Sequence, residues 1–148
     1  MYYFRREMIL MKKILRLQSA LLKEIDKYEK LIPERDHFID WERVHIASCA
    51  KIGYMMAEKR GVDPILAAAA CACHDYGRII TGKQPGHAEA GYEPVQVFLK
   101  NTGLFNDDEI SRIAIAVKNH SKKAEIGTSR FPSYPKRADG SHTDHAQR

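Results

Sequence analysis

The chain has 148 residues, of which 29% are charged and 44% hydrophobic; this excludes a disordered or collagen-like chain and leaves one domain long enough to bury a core. Its net charge of +5 is unevenly placed: residues 1–16 carry five basic side chains against one acidic, residues 118–148 seven against three, and residues 17–117 twelve against fifteen. A nucleic-acid surface needs positive charge on the folded body, so this distribution argues against nucleic acid as a partner and is compatible with anionic small molecules such as nucleotides.

At the N-terminus, Lys12, Lys13 and Arg16 interrupt every apolar run, so neither a signal peptide nor a membrane span is predicted and the expected location is cytoplasmic. From about residue 8 to 31, Leu10, Ile14, Leu17, Leu21, Ile25 and Tyr28 recur at helical spacing, opposite a face of Lys, Arg and Glu. Such a helix lies on a membrane or packs on its own domain, and the second is expected, with Pro33 ending it. The next helix is predicted from about residue 39 to 60, with Trp41, His45, Cys49, Ile52 and Met56 as its inward stripe and Gly61 as its stop. Asp63-Pro64 reads as a third helix start, Asp as cap and Pro in the first turn. Its body, residues 65–73, is the most apolar run of the chain and closes on His74-Asp75.

Residues 76–86 contain Gly77, Gly82, Pro85 and Gly86 and are expected to form a loop. A helix follows from residue 87 to about 100, kinked or split at Pro94. Asn106 and Glu109 mark another helix start, continuing through Ile110, Ile113, Ile115 and Val117 to His120. No segment alternates with period two for long enough to be a strand. The expected fold is all-α, a single-domain helical bundle of about five to seven helices. Residues 127–148, with Pro132, Pro135 and few apolar side chains, are expected to be irregular, which divides the chain into an amphipathic helix (1–32), a core (33–126) and a C-terminal segment (127–148).

A helix that is apolar on every side is a buried one, and ending it on an imidazole and a carboxylate leaves two costly polar groups at the edge of the core. A metal ion satisfies both, and a bundle builds a divalent-metal centre from such side chains on several helices. Taken alone, His45 reads as a hydrogen-bonded core residue, and His87 and His120 as cap or surface residues; the joint arrangement points to metal. Imidazole with carboxylate suits zinc, manganese, iron or nickel without choosing among them. Cys49, Cys71 and Cys73 are too few, and odd in number, for a disulfide framework. Cys71 and Cys73 point to opposite helix faces and cannot clamp one zinc; all three read as small core residues in a reducing compartment.

The ordered set His45, His74-Asp75, His87, His120 and a late Asp resembles the HD superfamily of metal-dependent phosphohydrolases. His74-Asp75-Tyr76-Gly77-Arg78 is similar to that family's His-Asp-x-Gly-Lys/Arg signature, and Gly86-His87-Ala88-Glu89 and Asn119-His120-Ser121 resemble the histidine motifs of members that hold more than one metal. The resemblance covers roughly residues 37–123. It implies that His45, His74 and Asp75 bind a first ion, that Asp75 bridges to a second served by His87 and His120, and that Arg78 reaches a substrate phosphate, with Lys83 a weaker candidate for the same contact. The late Asp of the family corresponds to Asp139 after Lys136-Arg137-Ala138, with Asp144 the alternative; Gly140-Ser141-His142-Thr143 stands where the family has apolar residues. The implied activity is hydrolysis of a phosphate ester or anhydride of a nucleotide or other phosphorylated small molecule, with one or two divalent ions (Mn, Fe, Zn, Ni or Mg) as cofactor and Asp75 and Arg78 as catalytic residues. A homodimer is compatible with it. The alternative is a non-catalytic HD module that binds metal or nucleotide as a sensor or partner domain.

Overall fold

The computed structural model describes residues 2–122, the side chains of residues 2–7 and of residue 10 excepted. Within them six helices follow one another: α1 (Tyr2–Leu31), α2 (Ile39–Arg60), α3 (Pro64–Cys73), α4 (Tyr76–Thr81), α5 (His87–Thr102) and α6 (Asp107–Asn119). No strand occurs among the described residues, and no helix among them is long and apolar enough to cross a membrane. The all-α expectation holds. Asp139, Asp144 and the segment 127–148 lie outside the described residues.

With no polar face to present to water, α3 takes the centre of the bundle, where nine of its ten residues are buried. Its start is as the sequence predicts: the Asp63 carboxylate accepts the Ile65 and Leu66 backbone N–H groups at 2.9 and 3.1 Å, and Pro64 occupies the first turn. Around it pack α1, α2 and α6. From α1, Ile14, Leu17, Leu21 and Ile25 all enter the core. Full burial of Leu17, Leu21 and Ile25 stabilises by about 1.5–3 kcal/mol each. This helix begins at Tyr2 rather than near Met8.

The inward face of α2 is not the predicted one. Ile39, Glu42, Ile46, Ala50, Gly53 and Ala57 are buried, whereas Trp41, Ile52 and Met56 are exposed. The cause is close packing on α3: a Cβ at Gly53 would stand 2.6 Å from Cys71 Sγ and 3.0 Å from the Ala67 carbonyl oxygen. Only the small-residue face of α2 fits there.

Two further expectations change. Residues 76–81 form α4 instead of a loop, and the chain turns only at Gly82, whose φ of 71° is left-handed. Gly77 lets α4 lie directly on the start of α5, since a Cβ there would run into the His87 carbonyl oxygen and the Gly91 amide. Helix α5 runs uninterrupted through Pro94, which forgoes its own N–H bond while the helix remains packed on α4 and α6. The start of α6 carries the predicted cap: the Asn106 side chain accepts the Glu109 N–H, and the Glu109 carboxylate accepts the Asn106 N–H, both at 2.9 Å.

Candidate metal centre

His74 caps the C-terminus of α3, and Asp75, at φ −95° and ψ 15°, makes the corner into α4. His87 is the first residue of α5, His120 caps the C-terminus of α6, and His45 stands two turns into α2. The structure brings these five side chains together. His45 Nε2 and His74 Nε2 lie 3.2 and 3.1 Å from Asp75 Oδ2. His87 Nε2 and His120 Nε2 lie 3.1 and 3.8 Å from Asp75 Oδ1. Within each pair the two Nε2 atoms are 3.1 Å (His45, His74) and 3.0 Å (His87, His120) apart.

The tautomers explain what these approaches mean. His74 Nδ1 donates to the Cys71 carbonyl at 2.7 Å, His87 Nδ1 to the Gln84 carbonyl at 2.7 Å, and His120 Nδ1 to the Val117 carbonyl at 2.6 Å. A neutral ring that donates through Nδ1 presents a bare lone pair at Nε2. His87 and His120 therefore aim two lone pairs at each other, and all of them face carboxylate oxygens. Such a set of acceptors is repulsive until a cation or extra protons enter it. Two nitrogens about 2.1 Å from one ion and at right angles to each other are about 3.0 Å apart, so the spacing suits a metal ion. Backbone carbonyls that orient the ligating histidines are the usual support of such sites. The residues present fit a divalent metal, with Asp75 able to bridge two.

Without metal the cluster is held by charge. Burial pushes the Asp75 carboxyl up, but the His74 hydrogen bond and the positive charges of His74, Arg78 and His87 outweigh it and bring the group to about 2. Burial works against the charged form of His74 as well, yet its hydrogen bond and attraction to Asp75 raise it above the ordinary histidine value. Burial, with repulsion from His74, lowers His45, and burial lowers His120.

Four side chains at this centre were not expected from the sequence. Glu42 is completely buried, and its Oε1 accepts from Arg78 Nε at 2.7 Å and approaches His37 Nε2 at 2.9 Å. Trp41 stacks on the His45 ring with centroids 3.8 Å apart and lies 4.8 Å from the Arg78 guanidinium. Gln84 accepts from Arg78 Nη1 at 2.6 Å. Cys49, expected in the core, is half-buried instead, with Sγ 3.5 Å from both ring nitrogens of His45. A charged residue three positions after Ile39 and four before Ile46 was the one available signal for Glu42.

Arg78 is held by side chains of the centre. Its third nitrogen, Nη2, donates to Asp75 Oδ2, so every nitrogen of the guanidinium is engaged within the protein. The guanidinium lies against the Asp75 carboxylate, and the Arg78 side chain is 10% exposed. Lys83 is exposed and paired loosely with Asp36 at 3.6 Å, as a solvated loop lysine would be.

A family model for the HD domain matches residues 44–145, more than half of the chain. No curated protein and no solved structure matches it.

Proposed function

As the chain belongs to the HD domain family, we propose that it is a divalent-metal-dependent phosphohydrolase, acting on a phosphate ester or anhydride of a nucleotide or another phosphorylated small molecule. One observation carries the reading: two histidine pairs converge on opposite oxygens of a single buried carboxylate, three of the four rings having Nε2 bared by a backbone carbonyl.

His45, His74 and Asp75 Oδ2 would hold one ion, and His87, His120 and Asp75 Oδ1 a second. Bound there, divalent metal supplies a water of lowered pKa and neutralises charge developing on the phosphoryl oxygens. Arg78 holds the bridging carboxylate in place, and Glu42 holds Arg78. The side chains of His45, His74 and His120 are 21–22% exposed, while Asp75 and His87 are 5% and 9% exposed. Substrate therefore approaches over the rim formed by His45, His74 and His120, with Asp75 and His87 at the floor. Asp139 is the candidate for a further ligand from beyond the described residues.

The test combines elemental analysis of protein purified without chelator with hydrolysis of a panel of nucleotides and phosphate diesters, each against His74→Ala. Metal-dependent turnover that disappears with His74→Ala supports the hydrolase. A second reading, an HD module that binds metal or nucleotide without turnover, draws on the inward commitment of Arg78. Bound metal with no hydrolysis of any substrate would favour it.

A further inference from the structure

We propose that two copies of the chain pair through the solvent side of α1, as an antiparallel coiled coil in which Met11 of one copy meets Leu22 of the other. This pairing stands apart from the metal centre and does not depend on it.

Helix α1 carries two apolar stripes. Ile14, Leu17, Leu21 and Ile25 form the one that enters the core. Met8, Met11, Leu15 and Leu22 form the other, and they are 47%, 46%, 57% and 39% exposed. At about 100° per residue these four fall within roughly 60° of arc, centred about 100° round the helix from the core stripe. Their steps of three, four and seven residues are those of the a and d positions of a heptad, with the half-buried Gln18 in the place between Leu15 and Leu22. So narrow a seam fits another helix, whereas a helix lying on a lipid surface needs a broader apolar face. From Asp26 onward the same side of α1 is taken by α2, whose Arg43 donates to Asp26 at 2.9 Å and to Glu29 at 2.6 Å. Between Met8 and Leu22 the stripe is open to solvent.

Charge and symmetry select a second copy and its direction. Residues 1–16 carry five basic side chains against one acidic, and residues 17–31 three against three. A parallel pair would set the basic half of one helix beside the basic half of the other, and an antiparallel pair sets it beside a neutral half. A two-fold axis between residues 16 and 17 falls at the middle of a helix that runs from Tyr2 to Leu31. Met11 then faces Leu22 of the other copy on both sides of the axis, and Leu15 faces Gln18, so one stripe is its own complement. Positions 8 to 25 overlap, which at 1.5 Å per residue is about 26 Å of contact. Such a contact is smaller than a permanent interface, and the dimer is therefore reversible.

The test is sedimentation velocity on the full-length protein across a concentration series, metal-loaded and chelator-treated. The expected result in both is a reversible rise in mass towards twice the 16.9 kDa of one chain. Leu15→Glu, which places a carboxylate on each side of the axis, should raise the dissociation constant by about 100-fold or more. Met11→Glu and Leu22→Lys should each weaken the dimer, and the double variant should recover it, because the two substituted positions face each other only in the antiparallel pair. All three positions are exposed in the single chain, so circular dichroism of the monomer should not change. A chain that stays monomeric at every concentration, a dimer that appears only with metal, or one indifferent to Leu15→Glu overturns the proposal. So does a monomer that binds phosphatidylserine vesicles and loses them with Leu15→Glu. A double variant as weak as the single ones overturns the antiparallel register.

Discussion

Replacing Arg78 by Ala removes the one guanidinium that lies between two buried carboxylates. Glu42 is fully buried and Asp75 is 4% exposed, and Arg78 donates to both. Removing one partner of such a pair costs about 3–5 kcal/mol, because the charges left behind are desolvated and uncompensated. For a domain of this size roughly 3–5 °C of Tm accompanies each kcal/mol, so the loss is on the order of 10–20 °C in metal-free protein. Saturating divalent metal should return part of it by supplying positive charge to Asp75, whereas Glu42 keeps His37 as its hydrogen-bond partner and the more distant charge of Arg35. Metal affinity should fall about 10–100-fold, as it does when the support of a ligand is removed. The assay is thermal unfolding of wild type, Arg78→Ala and a Glu42→Gln/Arg78→Met double variant, with and without manganese, together with bound metal and KM. The double variant should be more stable than Arg78→Ala, since no orphaned Glu42 charge remains. A variant with unchanged Tm and metal content, and only a raised KM, would refute this reasoning and return Arg78 to the role of phosphate ligand.

His74→Ala and Asp75→Ala should each abolish metal-dependent hydrolysis while circular dichroism stays α-helical; full activity in either would end the metallohydrolase reading. Gly77→Ala should push α5 away from α4, costing about 1–3 kcal/mol through overpacking and displacing His87, so that bound metal per chain falls as read by elemental analysis. The response to pH should differ in sign between the two forms. In metal-free protein the raised His74 contributes stability below its ordinary value of 6.5 that is lost as pH rises through its raised folded value. Metal needs that ring neutral, so metal affinity should rise over the same interval, while the lowered His45 and His120 compete with metal only at more acid pH. Tm measured against pH with and without metal checks both slopes; parallel slopes would contradict the assigned ligands.

Features that depend on neighbours in the chain were legible in the sequence. Asp63 before Pro64, and Asn106 three residues before Glu109, act within one helical turn, and both caps form as their spacing predicts. The His74-Asp75 corner was visible because an apolar helix cannot end on such residues at the core's edge without a reason. Helix α4 was not legible: it has six residues, with a glycine inside it, and it is supported by the close approach of Gly77 to α5, which no local pattern encodes. The inward face of α2 was not legible either, because Trp41, Ile52 and Met56 are the conspicuous apolar residues, while Gly53, Ala50 and Ala57 make the tighter fit. The commitment of Arg78 depends on Glu42, 36 residues away, and Cys49 acquires its surroundings from a ring one helical turn before it.

The chemistry of the bundle is gathered at one end, and this sets where the chain is free to vary. His87 opens α5 and His120 closes α6, so the turn joining these helices, residues 103–106, sits roughly 20 Å from the histidines at 1.5 Å per residue. The turn between α2 and α3, residues 61–63, likewise lies at the end of α3 remote from His74. Insertions, labels or fused domains placed in these distal turns would leave the ligand directions untouched. A single residue added inside α6, by contrast, would swing His120 about 100° around the helix axis and out of the cluster. Divergence among proteins built this way should accumulate in the distal turns, with helix lengths held constant between each turn and its histidine.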